Sequence, residues 1–196
     1  MIIFHNVEGS KINHCMTIAD KKIQKQLDRM DQQKQVLMDL IRTLPDKNYR
    51  RQPHESSWSV GQVANHLYLS ESLSLAYLKK KLSYPETIPG FNLKSWWAVF
   101  LVKFTLMTNI KVKAPAKINM WGEQEVFSPE VLNQKWDLVR EEMRSVISQH
   151  LPGFRSHLVF NHPFAGRMTM RQMLIFINHH ISHHLRQVRR IIKKIS

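Results

Sequence analysis

Apolar residues recur every three to four positions through four long stretches of this chain, with polar residues between them, the period of helices that bury one face. In the first, about Ile18 to Leu44, the stripe is Ile23, Leu27, Met30, Leu37, Ile41 and Leu44, and Pro45 ends it. A polar connector, Asp46 to Ser57, leads to a second stretch that Ser57 or Ser59 can cap and that continues to about Leu82. Its inward arc holds Val60, Val63, Leu67, Leu69, Leu73, Tyr77 and Leu78. A third opens with Ser128 as cap and Pro129 in its first turn, carries Leu132, Trp136, Val139, Met143, Val146 and Ile147 inward, and is expected to stop at Pro152 and Gly153. The fourth, Thr169 to Lys194, has neither Gly nor Pro and buries Met173, Leu174, Ile177, Ile181, Leu185, Val188, Ile191 and Ile192.

The intervening segments lack such a period. Residues Met1 to Thr17 read as an irregular lead-in, and Phe154 to Met168 as a loop. Between the second and third helices, Pro85, Pro89, Gly90, Pro115 and Gly122 break the pattern, leaving a crossover over 84–126 with a short helical insert from Leu93 to about Thr108. Trp96, Trp97 and Phe100 in that insert suit either a site wall or the core. No stretch alternates as a strand would. The expected fold is all-α: a single domain over 1–196, built as a four-helix bundle with one long crossover between helices two and three.

Placing residues on these helices at about 100° per step separates the histidines. In the fourth helix His180 and His184 fall inside or at the edge of the buried arc, whereas His179 and His183 fall among Arg186, Arg190 and Lys194 and read as solvated surface. His180 and His184 are one turn apart, a spacing that lets two imidazoles reach one metal ion, although Ile181 and Ser182 occupy the interval where a HExxH motif carries its Glu. His66 lies on the inward arc of the second helix, with Ser70 and Ser74 following on the same face. Alone, it also reads as a core histidine bonded to a neighbour's carbonyl. Because bundle cores bring side chains of facing helices onto metals, His66, His180 and His184 are candidates for one site. Glu71 and Glu142 lie on or near faces that could point inward, yet no motif singles out either as a general base.

Composition narrows the classes. A content of 43% hydrophobic and 22% charged residues, with only six Gly and eight Pro, is that of a globular domain rather than a repeat or low-complexity chain. Cys15 is the single cysteine, so no internal disulfide forms, and with no signal peptide read at the start the expected compartment is the cytoplasm. The apolar run from Trp96 to Met107 carries Lys103 and is too short to span a bilayer, so no membrane is expected. Lys and Arg number 29 against 15 Asp and Glu, a net charge of +14 that suits an anionic partner. The charge is spread over several faces without an aromatic-interleaved stretch, which argues against nucleic acid as the partner.

Two segments then carry a family resemblance: WSVGQVANHL, Trp58 to Leu67, and HPFAGRMTMRQMLIFINHHISHHLRQ, His162 to Gln187. They resemble the DinB/YfiT-like superfamily of metal-binding four-helix bundles, and the likeness covers most of the chain. It implies a divalent metal, zinc, nickel or iron, held by three histidines that correspond to His66, His180 and His184. Gln187, about one turn beyond His184, and Ser70 would stand behind these ligands. For activity the resemblance implies a metal-dependent enzyme acting on a small molecule, as a thiol S-transferase with a low-molecular-weight thiol or as a hydrolase; for assembly it implies a homodimer. Three His ligands leave a position open for water or a thiolate. The alternatives are a catalytically silent bundle that works through a partner surface, and a basic binder of anions or nucleic acid.

Overall fold

The computed structural model describes residues 18–55, 57–90, 125–162 and 166–195. The lead-in, the expected insert from Leu93 to Thr108 with its tryptophans, and Pro163 lie outside them. The described residues are mostly helical: α1 (Ile18–Arg42), α2 (Asp46–Arg50), α3 (Val60–Leu82), α4 (Pro129–Phe154) and α5 (Met170–Ile195), with a 3-10 turn at Pro85–Thr87 and a hairpin of β1 (Phe160–His162) and β2 (Gly166–Met168). None of these helices is long and apolar enough to cross a membrane.

Local chemistry fixes the starts of the long helices. At α3 the choice between two serines resolves to Ser59: its hydroxyl accepts from the Gln62 amide at 3.1 Å while the Gln62 side chain accepts from the Ser59 amide at 2.8 Å. Such reciprocal caps satisfy two orphan donors and contribute about 1 kcal/mol. Thr169 and Gln172 make the same exchange ahead of α5, at 3.2 and 2.9 Å. Ser128 caps α4, accepting from the Val131 amide at 3.4 Å, with Pro129 at its first position.

Three expectations about the connections are corrected. Pro152 and Gly153 do not stop the third long helix, which continues to Phe154. Pro152 has no N–H to give the Ser148 carbonyl, so this last turn carries one backbone bond fewer; the burial of Leu151 and the packing of Phe154 on the core offset that loss. The polar connector after α1 contains α2, where Arg50 pairs with Asp46 at 3.0 Å and Tyr49 is buried. Five residues are too few to show a period. The loop before α5 contains the antiparallel hairpin, in register Phe160↔Met168, Asn161↔Arg167 and His162↔Gly166. Its three-residue strands are likewise too short for alternation to show, but Phe160 and Met168 are buried, and the Phe160 ring meets Tyr77 of α3 at 5.5 Å. Gly166 has φ +69°, the left-handed region that disfavours any side chain.

α5 packs along α1 and α3, and α4 packs against α3. Asn178 donates to the Gln26 carbonyl at 3.0 Å and Gln33 donates to the Ser182 hydroxyl at 2.5 Å, so α1 and α5 run in the same direction. α3 runs against α5, since His66 near its start meets His180 and Tyr77 near its end meets the hairpin that precedes α5. One charged cluster crosses this apolar core. Arg140 of α4 holds Glu71 of α3 bidentately and donates to Asp31 of α1 at 2.9 Å, and Arg144 also reaches Asp31. Glu71 and Arg140 are both buried, which demands full pairing of each.

Candidate metal centre

α3 delivers one imidazole and α5 two. Ser59 sets the start of α3, and the turn after it packs closely: a Cβ on Gly61 would stand 2.4 Å from a Val126 methyl and 3.0 Å from the Tyr49 ring. Asn65, buried beside His66, donates to the Glu125 carbonyl at 2.7 Å and accepts from the Phe127 amide at 3.4 Å. The Tyr49 hydroxyl donates to the Phe127 carbonyl at 3.1 Å. The chain entering α4 is therefore tied to the turn of α3 that carries His66. Asn65 was not singled out from sequence, and its signal was only its place before His66.

His180 Nε2 lies 3.1 Å from His66 Nε2 and 3.0 Å from His184 Nε2, and one nitrogen from each ring falls within 4.8 Å of the others. Protons satisfy this convergence poorly. The one Nε2 of His180 would have to share a single proton between two neighbours, or accept from both with one lone pair. A single cation at about 2.0–2.1 Å from each nitrogen would satisfy all three, and tetrahedral ligation puts such nitrogens about 3.3 Å apart. The residues fit a divalent metal by that test.

The electrostatics agree. Burial lowers the His66 imidazole from 6.5 to about 4. Burial first, and then mutual repulsion among the rings, holds His180 and His184 well below the usual histidine range. All three are neutral at pH 7 and present lone pairs without first losing a proton. Gln187 Oε1 is 2.8 Å from His184 Nδ1 and accepts its N–H, which leaves Nε2 of that ring as the lone-pair nitrogen.

Aromatic rings flank the cluster. Trp58 lies 5.1 Å from the His66 ring and Phe176 stacks on His180 at 5.6 Å and 13°. His162, at the end of β1, meets Phe176 at 4.4 Å, and burial lowers its imidazole to about 4.

The remaining sequence candidates separate. His179 and His183 are half-buried rather than fully solvated, and the His183 ring meets His184 at 5.2 Å. Ser70 is also half-buried, and its carbonyl accepts from the Ser74 hydroxyl at 2.7 Å; among the described residues no hydrogen bond joins it to the three imidazoles. Glu71 is engaged by Arg140 and Glu142 by Lys79 on the surface, so neither is held toward the triad as a base. His54 is exposed.

One pH dependence follows. For His66, His162, His180 and His184 the folded-state value lies below the unfolded 6.5, so below that pH the unfolded chain binds more protons. Metal-free protein is expected to keep full stability above about pH 6.5 and to lose it as the pH falls toward 4, at about 1.4 kcal/mol per pH unit for each proton taken up. Urea midpoints with chelator at pH 7.5, 6 and 5 measure this; equal midpoints would contradict the burial of these rings.

Comparison with known proteins places the site in a family context. The model of the DinB superfamily matches residues 29–188, which includes all three imidazoles. The uncharacterized protein YuaE of Bacillus subtilis (strain 168) is 26% identical over 155 residues, 79% of this chain and 90% of that protein. No solved structure gives a significant match.

Proposed function

The chain belongs to the DinB superfamily, and on that premise we propose that His66, His180 and His184 hold a divalent cation, zinc, nickel or iron, in the core of a four-helix bundle whose long crossover spans 84–126. The observation that carries this reading is the meeting of three neutral Nε2 atoms, with His180 3.1 and 3.0 Å from its two neighbours. Three protein ligands leave coordination open to a small molecule, the arrangement of a catalytic rather than a structural site. A bound cation would supply Lewis acidity, lowering the pKa of a thiol or water that joined it.

Between the two reactions of this type, the surroundings favour thiol S-transfer over hydrolysis. Activating water benefits from a base beside the metal, and the two carboxylates on plausible faces are committed to Arg140 and Lys79. A thiolate is a nucleophile once its proton has gone and needs no such neighbour. The net charge of +14 suits an anionic low-molecular-weight thiol. The single cysteine of the chain suits a reducing cytoplasm, and a homodimer is the assembly proposed.

Gln187 fixes the His184 tautomer in this reading. Gln187→Leu is expected to weaken cation binding about 10–100-fold with little change in fold, measured by competition against a chromophoric chelator. For the reaction, the full-length protein is incubated with an electrophile and each of several low-molecular-weight thiols, with and without chelator. Conjugation that disappears on chelation and returns with the cation is expected; a cation-loaded protein that hydrolyses esters or amides and conjugates no thiol would overturn the transferase assignment.

A further inference from the structure

A closed line of contacts runs from the three-imidazole centre along α3, across the hairpin and back along α5. On α3, Leu73 and Tyr77 follow His66 at i+7 and i+11, so the three share one face, the leucine about 10 Å and the tyrosine about 16 Å beyond the histidine. The Tyr77 ring meets Phe160 at 5.5 Å. Two residues on, and so on the same side of the strand, His162 meets Phe176 at 4.4 Å. Phe176 lies flat on His180 at 5.6 Å and 13°, and His180 Nε2 returns to His66 Nε2 at 3.1 Å. The line bounds the surface between α3 and α5, with the converging nitrogens at one end and the hairpin at the other. No Lys, Arg, Asp or Glu is among the residues that form it. Its hairpin side is packed, since Phe160 is buried, but Leu73 is 51% exposed and Tyr77 39%. A lone exposed leucine is ordinary on a protein surface, and Leu138 of α4, 67% exposed, is such a residue. Leu73 differs in its place: it stands two turns from a metal-capable imidazole on the same face, where sites for small molecules are lined by apolar side chains with a few convergent polar groups at one end.

We propose that the strip through Leu73 and Tyr77 binds an alkyl chain on the electrophile that reacts at the three-imidazole centre, with the polar head of that molecule at the imidazoles and its chain lying along α3 toward the hairpin. This rests on the metal-centre reading above and adds the substrate class, an amphiphile with a reactive head and an unbranched apolar tail. The uncharged strip suits the electrophile, and the basic surface elsewhere suits the anionic thiol. Leu73 is in this account a specificity residue, covered by the chain when the substrate binds.

The test uses the full chain loaded with cobalt(II), whose visible absorption reports ligands that join the cation. Unbranched alkyl hydroxamates from acetohydroxamate to octanohydroxamate are titrated into the wild type, Leu73→Asp and Leu138→Asp, with alkanethiols of the same lengths run alongside as a second kind of head. In the wild type, binding is expected to tighten with chain length, by about fourfold for each methylene that is fully buried. Leu73→Asp alters an exposed position, so it should take up cobalt and bind acetohydroxamate as the wild type does while the gain with length disappears. Leu138→Asp makes the same change of charge at an exposed leucine of another helix and should keep the wild-type gain. A wild type that binds all lengths equally, a Leu73→Asp that keeps the gain, or a Leu138→Asp that loses it to the same extent overturns the proposal and leaves the metal centre standing. So does cobalt-loaded protein that binds neither kind of head. Failure of the wild type to take up cobalt overturns both, and shows itself before any probe is added.

Discussion

Replacing His180 by alanine is expected to abolish cation binding while leaving the helices folded. His180 supplies the nitrogen that lies between the other two, 3.1 Å from one and 3.0 Å from the other. Without it, His66 and His184 are two ligands on separate helices, and the loss should exceed the about 10–100-fold that removal of an outer partner costs. Its effect on the metal-free fold should be small by comparison, because three converging imidazoles with too few protons to share among them are themselves unfavourable. Thermal unfolding separates these effects. A cation that binds the native state stabilises it by RT ln(1 + [L]/Kd), about 2.7 kcal/mol at one hundred times Kd. The wild type should therefore melt higher with added cation than with chelator, whereas His180→Ala should melt at the same temperature in both. Equal cation-induced shifts in the two proteins would remove His180 from the site.

The second large effect concerns the fold around that site. Arg140→Ala is expected to destabilise the protein by about 3–5 kcal/mol, the range for breaking a buried ion pair and stranding its partner. Among the described residues Arg140 is the one guanidinium on Glu71, donating at 2.8 Å among its contacts, and Glu71 is 1% exposed on the same helix as His66. A loss of that size is a large part of the about 5–15 kcal/mol that holds a domain together. Replacing Glu71 and Arg140 together by apolar residues of similar volume removes the stranded charge and should cost much less than the single change. Urea midpoints of the two variants measure the contrast. Equal losses would mean that the pair itself, rather than the abandoned carboxylate, provides the stability.

Long-range periodicity made most of this architecture readable. The stripe through Ile177, Ile181, Leu185 and Val188 oriented α5 without any partner in view, and since His180 and His184 follow from that orientation, two of the three candidate ligands followed too. His66 came from the same reasoning on α3. Shorter elements escaped: α2 spans five residues and each strand of the hairpin three, so no period has room to show, and their formation depends on tertiary burial of Tyr49, Phe160 and Met168. Pro152 misled for a related reason, because the core packing of Leu151 and Phe154 that offsets its missing backbone bond comes from other elements. The half-burial of His179 and His183 was not visible on a helical wheel, which separates the core face from its opposite but says nothing of neighbours packed over the latter. The position of His162 beside Phe176 was beyond reach for the same reason as the hairpin that places it. Asn65 had the right neighbours in sequence, but its hydrogen bonds go to backbone 60 and 62 residues away, which no local pattern encodes.

The most direct test is elemental analysis of the full-length protein, purified without a metal-affinity resin, stripped with chelator and dialysed against a limiting range of divalent cations. The account predicts saturation at about one cation per chain for the wild type and none for His66→Ala, His180→Ala or His184→Ala. A wild type that retains no cation, or alanine variants that retain as much as the wild type, would contradict it.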